Sequence, residues 1–214
     1  PITEFISCNS DKTIRTWDVE FGTFKHTLQI NQLVLSLAWW KQGQFLIEGG
    51  RDIHIRQWNQ RDHTSKEHGT IVRTLTGHTE TVRVLLVDES NDQLLSCSDD
   101  KTTRLWDLNT GQLIKQFTSQ VDWMYAVCKV NKNVLVTAGI DKSLKFWSIE
   151  NGTSVHMIEN AHASSISSIL YSESNQLLVT ASFDNTVKIW DLKMNKEAAN
   201  QLIEKCVLQY TIKN

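Results

Sequence analysis

Five times in 214 residues an aspartate stands six positions before a tryptophan: Asp11 before Trp17, Asp52 before Trp58, Asp100 before Trp106, Asp141 before Trp147 and Asp184 before Trp190. Successive tryptophans lie 41, 48, 41 and 43 residues apart. A spacing near 40–45 residues is the mark of a repeated supersecondary unit, and it limits the chain to architectures built by stacking such units. The third copy, Ser96-Cys97-Ser98-Asp99-Asp100-Lys101-Thr102-Thr103-Arg104-Leu105-Trp106-Asp107, shows the local logic. An alternating segment runs into a polar turn at Asp100, and a β-favouring segment leaves it and ends at Trp-Asp.

Each unit reads as four short strands. In the third these are Val82–Val87, Gln93–Ser98, Thr102–Leu108 and Gln112–Thr118, with turns at 88–92 and at Asn109-Thr110-Gly111. The fifth repeats the pattern with Ile166–Tyr171, Gln176–Ser182, Thr186–Leu192 and a last strand near Lys205–Ile212. The polar stretch Lys193–Gln201 separates the last two, and Met194–Leu202 is the one segment with any helical character. The first unit lacks its first strand. The second is the most divergent, with a charged excursion at 60–69 that carries His63 and His68. The units fall at about 1–29, 30–76, 77–118, 119–160 and 161–214. With one proline and regular turns, this is an all-β repeat chain.

Net charge is −2, so nothing in the bulk electrostatics draws the chain to nucleic acid or anionic lipid. No apolar run approaches a membrane span. Cys8 and Cys97 stand nine residues before their tryptophans, where Gly49, Ala138 and Ala181 stand in the other units, so the position takes a small side chain. Without a C-x-x-C pair, zinc and redox sites are not expected, and the thiols read as reduced structural residues of a cytoplasmic or nuclear protein.

On these residues the chain resembles the WD-repeat β-propeller family in five copies. Gly77-His78 and Ala161-His162 open units three and five, each histidine 28 residues before its tryptophan. Ser7, Ser96, Thr137 and Thr180 hold a hydroxyl ten residues before theirs. The resemblance implies a buried polar relay, complete twice: His78, Ser96, Asp100 and Trp106, and His162, Thr180, Asp184 and Trp190. Buried imidazole, hydroxyl and indole N–H groups each require a partner, and the turn aspartate can supply one. Unit two has Glu48 in the hydroxyl position, and unit four has Gln120 near the histidine position. The resemblance also implies a ring of about seven blades. Five units then suggest part of a longer ring, with closure by dimerisation or by five blades as the other routes.

The Ser/His/Asp combination recurs at fixed offsets, whereas a catalytic constellation is needed once, so no catalytic residues, cofactor or metal are assigned. The basic residue two before each tryptophan (Arg15, Arg56, Arg104, Lys145, Lys188) reads as a partner for turn carboxylates. The residue just before each turn aspartate (Ser10, Arg51, Asp99, Ile140, Phe183) varies in type while its neighbours repeat. Ile140 and Phe183 are apolar where a solvated turn is normally polar. The start of the first strand adds Glu80, Asp122, Trp123 and Ser164 on the same face, with burial between blades the alternative for Trp123. Arg51, Glu80, Asp99, Asp122, Trp123, Ile140, Ser164 and Phe183 are therefore the candidate partner-binding residues of a non-enzymatic, peptide- or protein-binding scaffold. A ubiquitin-ligase substrate receptor reading phosphopeptides through Arg51 and the turn lysines Lys12, Lys101 and Lys142 is the alternative.

Overall fold

A computed structural model describes residues 4–60, 69–118, 123–194 and 203–213. Among these there are nineteen strands and no helix. The first sheet holds β1 (Glu4–Cys8), β2 (Thr13–Asp18) and β3 (Phe24–Gln29). The second holds β4 (Val34–Trp40), β5 (Phe45–Gly50), β6 (Ile55–Asn59) and β7 (Ile71–Leu75). The third holds β8 (Val82–Asp88), β9 (Gln93–Ser98), β10 (Thr102–Asp107) and β11 (Leu113–Thr118). The fourth holds β12 (Met124–Lys129), β13 (Val134–Gly139), β14 (Leu144–Ser148) and β15 (Ser154–Ile158). The fifth holds β16 (Ile166–Ser172), β17 (Leu177–Ser182), β18 (Thr186–Met194) and β19 (Ile203–Lys213). Each sheet is a meander of sequential antiparallel neighbours, the arrangement that short turns favour. The chain forms two compact units. One comprises residues up to 100 with 105–114, and the other residues 101–104 with 115 onward. The segment at 195–202, where a helical turn is expected, lies outside the described residues.

Side chains alternate between the two faces of a strand, so the repeat writes two faces at once. The residue twelve before the tryptophan pairs directly across from it: Phe5 with Trp17, Leu46 with Trp58, Leu135 with Trp147 and Leu178 with Trp190. These define a tryptophan face. The intervening residues define the opposite face, as with Val136 and Phe146 on β13 and β14. In the first unit, the opposite face of sheet one (Ile14, with Ile6 and Cys8) packs on the tryptophan face of sheet two (Val34, Leu46, Trp58). Sheet two repeats this with Ile47 and Ile55 against Leu85, Leu94 and Trp106 of sheet three. In the second unit, Val136, Ala138, Leu144 and Phe146 of sheet four meet Ile166, Ile169, Leu178 and Trp190 of sheet five. Each fully buried aliphatic side chain in these seams contributes about 1.5–3 kcal/mol.

The first strand of each four-stranded sheet is bulged near its start, with register shifts between Val34 and Ser36, Val82 and Val84, Met124 and Ala126, and Ile166 and Ser168. The bulge brings a backbone carbonyl of the inner strand against the end of the second strand. Two residue types stand at that end. In sheets two and four the facing residue is glycine, since a Cβ on Gly50 or Gly139 would collide with the Leu33 or Trp123 carbonyl oxygen. In sheets three and five it is serine, whose hydroxyl donates to the carbonyl one residue earlier in the chain: Ser98 Oγ to Glu80 O at 3.0 Å and Ser182 Oγ to Ser164 O at 3.1 Å.

The turn that follows is the same in all five sheets. The residue after the aspartate is left-handed every time: Lys12 (φ 62°), Ile53 (67°), Lys101 (67°), Lys142 (65°) and Asn185 (63°). Its N–H closes a four-residue turn, as in Asn185 N to Ser182 O at 3.2 Å and Lys12 N to Asn9 O at 3.2 Å. Asn185 suits this conformation, lysine tolerates it, and a β-branched residue is strained there. Replacing Ile53 with Asn is expected to raise the urea-unfolding free energy by about 1 kcal/mol. Gly139→Ala is expected to lower it by about 1–3 kcal/mol through the clash with the Trp123 carbonyl.

Candidate functional site

Two hydrogen-bonded relays tie the turns to the sheet cores. In sheet three, His78 Nδ1 lies 2.7 Å from Asp100 Oδ2, and His78 Nε2 lies 2.7 Å from Ser96 Oγ. The Trp106 indole donates to the same hydroxyl at 2.8 Å. His78 and Ser96 are almost fully buried. In sheet five, His162 lies 3.0 Å from Asp184 Oδ2 and 2.7 Å from Thr180 Oγ1, and Trp190 donates to Thr180 at 2.9 Å. One proton assignment satisfies every atom: a neutral imidazole donates from Nδ1 to the carboxylate and accepts the hydroxyl proton at Nε2. Burial pushes the His162 imidazole down more strongly than the Asp184 carboxylate raises it. Burial alone would raise the Asp184 carboxyl. Hydrogen bonds from the Thr186 hydroxyl, the Ala163 N–H, His162 and the Thr186 N–H outweigh it and hold that group well below the usual carboxylate range. A hydroxyl whose proton is committed to a buried neutral histidine, and whose lone pair is committed to an indole, has neither freedom nor access to act as a nucleophile.

The other sheets show what replaces an absent histidine. In sheets one and four the indole still donates to a hydroxyl, Trp17 to Ser7 and Trp147 to Thr137, both at 2.9 Å. The basic residue two before the tryptophan takes the turn carboxylate: Arg15 with Asp11 at 2.5 Å and Lys145 with Asp141 at 3.0 Å. Sheet two builds a charged substitute. Buried Glu48 accepts from Gln32 Nε2 at 2.7 Å and from Arg56 at 3.0 Å. Gln32 also accepts from the Asp52 N–H at 3.0 Å, and Arg56 pairs with Asp52. Burial pushes the Glu48 carboxyl up against the opposing pull of Arg56 and Gln32. Trp58 Nε1 has no hydrogen-bond partner among the described residues, because the carboxylate that replaced the hydroxyl is turned to Arg56. Gln32 was not singled out from the sequence, since it sits two residues past the histidine position. Glu48 beside Arg56 was the available signal. In sheet five, where histidine holds Asp184, Lys188 turns instead to the Ala161 carbonyl at 2.6 Å.

The variable residue before each turn aspartate sits at the first central position of the turn, where its side chain is free of the closing bonds. Its N–H binds the start of the inner strand: Arg51 to Leu33 O at 3.1 Å, Asp99 to Thr81 O at 3.0 Å, Ile140 to Trp123 O at 3.1 Å and Phe183 to Ser165 O at 3.0 Å. Within each sheet, therefore, the turn and the inner-strand start share one end. In the second unit Trp123 (45% exposed) and Ile140 (37%) stand side by side on sheet four, and Phe183 (68%) stands on sheet five. The His162 N–H binds the Lys142 carbonyl at 3.3 Å, so the turn of sheet four abuts the start of sheet five. Ser164 is half-buried beside that start, and Asp122 lies outside the described residues.

In the first unit Arg51 and Glu80 are exposed. Asp99 is not presented to solvent: its side chain is 9% exposed and is gripped by Arg83 at 2.5 and 2.7 Å. Arg83 is the extra residue of the β8 bulge, and a bulge leaves no mark in sequence spacing that would have exposed this pairing. No group of three or more His, Cys, Asp and Glu side chains converges as a metal site among the described residues. His63 and His68 lie outside them. Among the described residues no helix is long and apolar enough to cross a membrane.

Thr180→Val leaves both His162 and Trp190 without their shared partner. It is expected to cost about 2–4 kcal/mol in urea titrations, against about 1 kcal/mol for an exposed hydroxyl. Both His162 and Asp184 bind fewer protons folded than unfolded, so their stabilisation is complete above the unfolded histidine value of about 6.5. Thermal melts are expected to fall as pH drops below about 6.5, and again below about 4 as Asp184 protonates. The deficit of Asp184→Asn relative to the parent is expected to be largest at neutral pH and to close in acid.

The family model of the WD domain, G-beta repeat, matches residues 69–107 and 152–191, which hold most of the third and fifth sheets. Among curated proteins the chain is 31% identical over 158 residues to nuclear distribution protein nudF of Aspergillus niger, covering 72% of this chain and 34% of that one. It is 29% identical over 169 residues to protein tipD of Dictyostelium discoideum, covering 77% and 26%. To the ribosome biogenesis protein WDR12 homolog of Ixodes scapularis it is 27% identical over 147 residues, covering 67% and 34%. The chain thus spans between about a quarter and a third of the length of these relatives. Five antiparallel meanders, repeated Asp-to-Trp turns, two histidine relays and these matches together place the chain in the WD-repeat family, as a series of β-propeller blades.

Proposed function

We propose that this chain is a non-catalytic scaffold that binds a peptide segment or partner domain at the turn end of its sheets. The supporting observation is the exposure of Trp123, Ile140 and Phe183 on the second unit. Three large apolar side chains on turns of one end are costly to leave in water, and aromatic anchors of this kind dominate protein interfaces. The relay hydroxyls are consumed by structure, which leaves the turns to carry recognition. The partner segment is one with apolar anchors, since Asp99 is already neutralised by Arg83 and Asp141 by Lys145. An intracellular setting is proposed from the four free thiols, two of which, Cys128 and Cys206, are pushed up to about 12 by burial and are chemically quiet. No role for nucleic acid or membrane is proposed.

The relatives are named for nuclear distribution and for ribosome biogenesis, so likeness alone does not choose a pathway. Substrate recognition for a ubiquitin ligase is the second reading. It rests on exposed Arg51, Lys12, Lys101 and Lys142, but the three lysines fill the left-handed turn position that every sheet needs.

Affinity capture with quantitative mass spectrometry compares the parent with Trp123→Ser/Ile140→Ser/Phe183→Ser. The expected result is loss of a reproducible set of captured proteins, with the melting temperature within about 2 °C of the parent, as for exposed positions. Capture that survives the triple substitution overturns the site. Phosphopeptide binding lost in Arg51→Ala and retained in the triple variant favours the ligase reading.

A further inference from the structure

Sheet two differs from the other sheets in what it buries. Its position ten residues before the tryptophan holds Glu48, which is 0% exposed, where the others hold the hydroxyl of Ser7, Ser96, Thr137 or Thr180. The carboxylate belongs to a closed circuit of four side chains. Gln32 Nε2 donates to Glu48 Oε2 at 2.7 Å, and Arg56 Nη1 donates to Glu48 Oε1 at 3.0 Å. Arg56 reaches on to Asp52 Oδ2, and the Asp52 N–H closes the circuit on Gln32 Oε1 at 3.0 Å. Asp52 is the turn aspartate, so the circuit ties the turn to the sheet core as histidine does in sheets three and five. Beside it Trp58 Nε1 is buried without a partner among the described residues.

The circuit fits only an ionised Glu48. Of the two groups that touch its carboxylate, Arg56 has donors alone, and Gln32 has one acceptor, the oxygen that takes the Asp52 N–H. A proton on Glu48 therefore finds an acceptor within the circuit only by displacing that N–H. We propose that Glu48 is a proton switch for the sheet-two turn: on taking up a proton it releases Arg56, turns the Gln32 amide and frees the Asp52 N–H, so that the turn bearing Arg51 loosens. The proton comes from solvent, which meets the circuit at Asp52 and Arg56, whose side chains are 32% and 20% exposed. The carbonyl oxygen that Arg56 vacates then accepts from Trp58 Nε1, at the ten-residue spacing of the other four sheets. Burial favours the neutral acid and already pushes this carboxyl up.

The charged and titratable neighbours are few. Arg56 favours the charged form of Glu48, and the Asp52 carboxylate opposes it. From sheet one, Cys8 faces the circuit with Ile6 and Ile14, and its thiol is raised by burial and further by the Glu48 charge. The sheet-one turn adjoins through the bond from the Ile30 N–H to Lys12 O at 2.9 Å, and its Arg15 is engaged by Asp11. His54 Nδ1 lies 2.7 Å from Asp52 O and can donate there in either protonation state. The switch lies within the first unit and is independent of the partner-binding reading.

The test is a pH titration of the 214-residue chain by NMR, with the Glu48 carboxyl carbon, the Trp58 indole and the Asp52 amide as probes. Glu48 is expected to titrate above the ordinary glutamate value of about 4.3. At the same midpoint the Trp58 indole proton is expected to shift. Asp52 amide exchange, corrected for its intrinsic pH dependence, is expected to quicken there by about tenfold, as for the loss of one hydrogen bond. Glu48→Gln is expected to abolish this step while leaving His54 and Asp52 to titrate. In Gln32→Leu, Glu48 is expected to titrate without an Asp52 step. A Glu48 midpoint at or below about 4.3 overturns the inference. So does Asp52 exchange with no step at that midpoint, or a step that survives either substitution. The parent titration decides the first two outcomes whether or not the variants fold.

Discussion

The hydrogen bond from a buried indole to a hydroxyl ten residues earlier is the interaction on which the rest of this chain depends. It occurs in four of the five sheets at 2.8–2.9 Å, and in sheets three and five it also orders a histidine and, through it, the turn aspartate. A tryptophan offers the largest apolar surface of any side chain but carries one donor that must be satisfied when buried. Supplying the acceptor from the neighbouring strand fixes that strand's register as well as the indole. The hydrophobic seam and the polar relay are thus two effects of one side chain. Sheet two shows the consequence of removing the acceptor: a buried carboxylate recruits Arg56 and Gln32, and the Trp58 donor is stranded among the described residues.

Much of this was legible because the sequence supplies five versions of one sentence. Comparing Ser96, Asp100 and Trp106 with their counterparts separates what the fold needs from what it leaves open, something a single copy cannot do. Strand positions followed from alternation, and differed mainly at their ends: β18 runs to Met194 and β19 from Ile203, longer than the sequence limits of Leu192 and Lys205. Those ends are governed by cross-strand pairing in a long hairpin, which local residue preference does not encode.

The bulges were not legible, and with them went Arg83 and the meaning of Asp99. A bulge is a difference of one residue between two paired strands, and it is invisible until the pairing is known. Its consequences were nevertheless written nearby, in the alternation of Gly50, Ser98, Gly139 and Ser182 at one repeat position. Glycine and serine there look like ordinary turn residues, yet glycine makes room for the Leu33 or Trp123 carbonyl, and serine binds the Glu80 or Ser164 carbonyl one residue earlier in its strand. The left-handed lysines belong to the same class. Read as charge they suggest a ligand, whereas the backbone explains them as occupants of a left-handed turn position that lysine tolerates.

The turn has a consequence that reaches past this chain. Its backbone is set by the residue that closes it, the aspartate and the left-handed residue, while the residue between closure and aspartate touches none of those bonds. Chemistry at that point can change from serine to arginine, aspartate, isoleucine or phenylalanine without disturbing the framework. Each repeat therefore carries a decoupled site of variation. A lineage of such chains can change the chemistry at the turn end of its sheets by single substitutions that leave the turn's own closing bonds in place.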